Sequence, residues 1–118
     1  MNKFLVLLVV LVAAGATGCG EICSNEPVAV VPSPSGKSKA VVFHRKCGEG
    51  TGSNTQVAVL PTYSELPNIP GNALVLDSDV PLEISWISDS SLSISGLGAA
   101  RASKQQPEVA GVSVAYRR

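Results

Sequence analysis

The sequence predicts an all-β fold: a small antiparallel β-sandwich or partly open barrel of six or seven short strands. Three observations predict it. Apolar and polar residues alternate at period two along several short runs, the pattern of half-buried strands. Turn-forming residues separate those runs, in a chain holding 11 Gly and 8 Pro. No segment past the N-terminal leader forms a long helix. A sheet with one dry face and no helices to cover it must curl or fold into two layers.

The leader is residues 1–18, MNKFLVLLVVLVAAGATG. Lys3 precedes an apolar run, Phe4–Ala14, and small residues follow. That order is an export signal. The run is too short for a membrane span, which needs about 20 apolar residues. Ala16-Thr17-Gly18-Cys19 resembles the lipobox of bacterial lipoproteins, although Ala16 stands where leucine is usual. The resemblance implies that Cys19 is cleaved to a new N-terminus and acylated with palmitate-type chains. Gly20 is not the aspartate that retains such proteins at the inner membrane, so outer-membrane attachment facing the periplasm is expected. The alternative is cleavage after Ala14-Gly15-Ala16 and a soluble, secreted or periplasmic protein.

Cysteine parity favours the anchor. The three cysteines are Cys19, Cys23 and Cys47. Exported proteins usually pair their thiols. Acylation of Cys19 leaves an even pair, so a Cys23–Cys47 disulfide is expected. Residues 19–32 are then a lipidated tether and residues 33–118 the domain. Within the tether Val28–Val31, bracketed by Pro27 and Pro32, is either a first edge strand or an extended lead-in.

The densest signal is Ser33–Leu60. Pro32–Gly36 is turn chemistry. Lys39–Lys46 and Thr55–Leu60 are strands, joined by the glycine-rich loop Cys47–Asn54 into an antiparallel hairpin. Pro61–Asn72 reads as a surface loop. Ala73–Asp77 is a third core strand. Leu82, Ile84 and Trp86 share a face, and Leu92 and Ile94 continue after a turn at Asp89–Ser91. Trp86 is the expected centre of the core, with an indole N–H that needs a partner. Gly96–Pro107 is less regular, and Ala99–Gln106 within it has room for one helical turn. Val112, Val114 and Tyr116 alternate as a final strand. SPSGKSKAVVFHRKCGEGTGSNTQVAVLP, GNALVLD and LEISWISDSSLSISG together resemble a family of small bacterial envelope proteins with the pattern SPDGKxKAVVFxRxCGATTGxxTQVSIL. The resemblance covers about Ser33–Ser95. It implies the fold and an exported location, and it carries over no catalytic residue.

Chemistry is sparse. Without Lys3, eight Lys/Arg stand against nine Asp/Glu, a net charge of −1 with His44 neutral. No basic patch suits nucleic acid. Gly36-Lys37-Ser38 looks like the tail of a phosphate loop, but Val31 occupies the required glycine position and a strand follows. No G-x-S-x-G elbow is present. Asp77 and Asp79 resemble calcium ligands, yet Val80-Pro81 replaces the residues an EF-hand needs, so a polar turn is expected. No metal or cofactor is implied. The best recognition candidate is the loop Gly48, Glu49, Gly50, Thr51, Gly52, Ser53 and Asn54, since loops on rigid scaffolds often bind. The expectation is a non-enzymatic module anchored to the membrane by its lipid and contacting an envelope protein or cell-wall component. The alternative is a small hydrolase or metal-assisted enzyme built from His44, Asp77 and Asp79.

Overall fold

The computed structural model describes residues 22–48 and 52–118. They form two packed sheets that do not close into a barrel. The first has strand order β1-β2-β3-β4-β7 and the second β5-β6-β9-β8. The strands are β1 (Cys23–Pro32), β2 (Ser38–Cys47), β3 (Asn54–Pro61), β4 (Leu74–Leu76), β5 (Glu83–Ser88), β6 (Ser91–Ser95), β7 (Ala102–Gln105), β8 (Glu108–Val109) and β9 (Val112–Tyr116). The count exceeds the six or seven expected. From Cys23 onward the stretch read as a tether is an edge strand of the first sheet. The helical turn allowed over Ala99–Gln106 is absent: Ala102–Gln105 pairs with β4. Pairing is antiparallel except between β6 and β9, which run parallel. Between them the chain visits the first sheet as β7 and returns through β8, so β9 arrives in the same direction as β6.

β2 and β3 form the expected hairpin, with Val42 opposite Val57 and Phe43 opposite Gln56. They are dry on both faces, not one. The inner faces contribute Ala40, Val42, Val57 and Val59 to the main core, with Leu74, Leu76, Leu92, Ile94, Val112 and Val114. The outer faces hold Val41, Phe43 and Ala58 in a second, smaller core, with Leu60 and Leu66 packed against it. Pro61–Asn72 is therefore a cover as well as a loop. Its return is tied to β3 by side chains acting as backbone. The Asn72 amide donates to the Val59 carbonyl at 2.9 Å, and its oxygen accepts the Val59 N–H at 2.8 Å. Gln56, buried, accepts the Gly71 N–H at 2.8 Å. A Cβ at Gly71 would sit 2.5 Å from the Val57 carbonyl oxygen, so only glycine allows this approach.

Trp86 is half-buried against the main core and does not centre it. Its indole N–H does find a partner, donating to the Val31 carbonyl of β1 at 2.9 Å. That bond ties the edge of the second sheet to the edge of the first. Asp89 makes a neighbouring tie: the Ser35 N–H donates to its carboxylate at 2.9 Å and draws its pKa below the usual value.

The far end is fastened by Tyr116, whose hydroxyl contacts the carbonyls of Gln106 at 2.7 Å and Ala73 at 3.0 Å. Burial pushes the phenol up to about 12. An unfolded tyrosine titrates near ~10. Above that pH the unfolded chain loses a proton that the native state keeps, so the stability held below it falls as pH rises through the folded value. In urea unfolding, Tyr116→Phe is expected to flatten the decline between those two pH values. An identical decline in the variant would show that Tyr116 does not cause it.

Candidate functional site

β1 carries an irregularity between Pro27 and Ala29, where its register on β2 shifts. Opposite this stretch the chain crosses from β4 in the first sheet to β5 in the second. The crossing segment, Asp79–Leu82, does not close onto β1. The space between them is an open cleft of about 400 Å³, lined by Val28, Ala29, Val42, His44, Asp79, Val80, Pro81 and Leu82. That volume lies in the ~300–1,000 Å³ range of small-ligand sites.

One end of the cleft is polar. The alternation that puts Val42 in the main core carries His44 to the same face, beyond the core's edge. Its Nε2 lies 3.8 Å from Asp79 Oδ1. The Ser53 hydroxyl donates to Asp79 Oδ2 at 2.5 Å. Thr55, fully buried, accepts the Val80 N–H at 3.0 Å and so fixes the crossing segment to β3. The imidazole and carboxylate are each about two-fifths exposed (39% and 42%), so both are reachable from solvent.

Of the proposed enzymatic trio, the fold joins His44 and Asp79 only. Asp77 exchanges hydrogen bonds with Arg101: its N–H donates to the Arg101 carbonyl at 2.9 Å, and its carboxylate accepts the Arg101 N–H at 3.1 Å. It is a strand-end clasp. The order of the polar groups also matters. In a serine hydrolase the imidazole lies between hydroxyl and carboxylate and takes the hydroxyl proton. Here the carboxylate lies between Ser53 and His44. Among the described residues, no group of three or more His, Cys, Asp or Glu gathers as a metal would require.

The recognition loop borders this end of the cleft through Ser53. The Gly48 N–H donates to the Ile22 carbonyl, Gly52 is exposed, and Asn54 accepts from the Gln56 amide at 2.9 Å. Glu49, Gly50 and Thr51 lie outside the described residues, as do Cys19 and the leader. Cys23 and Cys47 face each other across β1 and β2 and form the disulfide, with Cα atoms 4.0 Å apart. It anchors one end of the strand that walls the cleft. The cleft itself was not legible as a site, because its two walls are separated by the hairpin and the cover loop. Its sequence signals were His44, which reads locally as a strand residue, and Asp79, which reads as a turn residue.

Comparison with protein-family models, with curated proteins and with solved structures finds no match for this chain.

Proposed function

We propose that this protein is a lipid-anchored bacterial envelope module that binds a target through the cleft between β1 and Asp79–Leu82, without transforming it. The cleft carries the reading: it has apolar walls and a reachable polar end, and among the described residues no hydroxyl is positioned for activation by its carboxylate–imidazole pair. The leader, the small residues before Cys19 and the resulting pairing of the other two cysteines support the anchor and the envelope location. A tether and a rigid sandwich suit docking. The hydrolase reading has only the His44–Asp79 contact in its favour.

A photoreactive residue at Val28, on the lip of the cleft, tests the proposal in intact cells. One discrete crosslinked product is expected from position 28. None is expected from position 103, which is exposed on the opposite edge strand, β7. Intact mass should show acyl chains on Cys19. Equal capture from both positions, or ester or phosphate turnover abolished by His44→Ala, would overturn the binding module. An unmodified N-terminus at Thr17 would overturn the anchor.

A further inference from the structure

We infer that the occupant of the cleft is an extended polypeptide segment presenting a lysine or arginine side chain; this rests on the cleft being the binding site. Three observations converge on that chemistry.

The walls are aliphatic. Val28, Ala29, Val42, Val80, Pro81 and Leu82 offer no aromatic ring and no hydrogen-bonding side chain. They suit a methylene stem, which basic side chains lay on apolar surface while the charged head stays near water.

The polar end is acidic. Among the described residues, Asp79 is the only charged one lining the cleft when His44 is neutral. Glu26 is the Cα partner of His44 across the β1–β2 ladder, so it projects from the same face and sets a second exposed carboxylate beside the cleft without lining it. Lys46, one pleat further out, does not line the cleft. A cationic head is attracted to this end and an anionic one is repelled.

The lip is a strand edge. Among the described residues β1 ends its sheet, with β2 on one side and no strand on the other. Its two extremities are occupied. The Asn68 amide donates to the Cys23 carbonyl at 2.8 Å, and Trp86 reaches Val31. The stretch between, Glu26–Val30, borders the cleft and is exposed along its length. Its edge is short, so it aligns a few residues of extended chain without templating a full extra strand. A peptide lying there directs one side chain into the cleft.

The test uses the purified mature domain and short, otherwise identical extended peptides with a central Lys, norleucine or Glu, titrated by isothermal calorimetry and amide chemical-shift mapping. The Lys peptide is expected to bind and to shift Ala29, His44 and Asp79–Leu82. Norleucine keeps the stem and loses the charge, so it should bind about fivefold more weakly, and Glu more weakly still. Asp79→Asn and, separately, Glu26→Gln should each weaken the Lys peptide by a similar factor and leave norleucine unchanged. Glu26 makes an exposed contribution only, so its variant keeps the test valid if Asp79→Asn disturbs Ser53. Hexylamine separates a peptide from a free amphiphile: affinity equal to the peptide's would show that the edge is not used, and would overturn the inference. Equal binding of Lys and Glu peptides would overturn it too, and so would shifts confined to other surfaces. If those failures occur while position 28 still crosslinks in cells, the cleft binds a different chemistry. If position 28 also captures nothing, the binding module itself fails.

Discussion

Phe43→Ala is expected to destabilise the protein by about 3–5 kcal/mol, the usual range for an aromatic truncated in a close-packed core. Phe43 is fully buried, yet it lies outside the sandwich proper. Its neighbours in the outer core are Val41, Ala58, Leu60 and Leu66. The sheet beneath it is rigid, since β2 and β3 also carry the main core on their other face. Only the cover loop can move inward, and Asn72 and Gly71 hold its end against β3. Collapse around the lost ring is therefore limited, which places the cost toward the upper part of the range. Urea unfolding should show a lower midpoint. Limited proteolysis should cut first within Pro61–Pro70, because Leu66 packs against the cluster that loses the ring. Tyr63→Ala in the same loop, where the side chain is 89% exposed, is the control and should change stability by less than ~0.5 kcal/mol. A cost for Phe43→Ala below about 1 kcal/mol would mean that the outer core is not a packed unit.

The second large effect is expected from removing the disulfide. Cys23 and Cys47 are 24 residues apart. Closure of a loop of that length removes unfolded-state entropy equivalent to about 3 kcal/mol, which the Cys23→Ser, Cys47→Ser double variant should lose. The loss should have a local pattern as well. Cys23 begins β1, where the ladder with β2 remains and side-chain bonds reinforce it. Asn25 donates to the Pro67 and Ile69 carbonyls at 2.9 and 2.8 Å, and Arg45 reaches Asn25 at 2.8 Å and Asn68 at 2.9 Å. These hold the strand in place without covalent help, so fraying rather than detachment is expected. Amide hydrogen exchange should quicken at Ser24–Glu26 and stay slow along β3. Stability and exchange that match those of the oxidised protein would show that the bridge is dispensable.

Much of this architecture could be read from local pattern. Thr55–Leu60 alternates, and the glycine-rich connection before it leaves little choice but a hairpin. Leu82, Ile84 and Trp86 announced β5, and Leu92 and Ile94 announced β6. The outer core had a signal that alternation obscured: Val41-Val42-Phe43 is an unbroken apolar run, the mark of a strand covered on both faces. β7 had none. Ala-Ser-Lys-Gln carries no apolar alternation, and its strand geometry comes from the open edge of β4. β1 was ambiguous because two prolines and a register shift interrupt its period. The disulfide was legible through parity of thiols, a chemical argument that needs no geometry. The cleft needed the crossing between sheets, which no local window contains, and the parallel match of β6 to β9 is likewise a property of the whole path.

That path has a temporal consequence. Among the described strands β9 comes last, but it lies inside its sheet, between β6 and β8. Delivered from the N-terminus, whether by a ribosome or through a translocation pore, the β1–β3 meander can pair as soon as it emerges. β5 and β6 can form their hairpin, but one side of β6 must wait, unpaired, for a partner encoded some twenty residues later. The main core cannot shut before then, because Val112 and Val114 are part of it. The order of the strands thus delays completion until Val112–Tyr116 has cleared the exit, and a chain held short of that point stays open enough to be threaded.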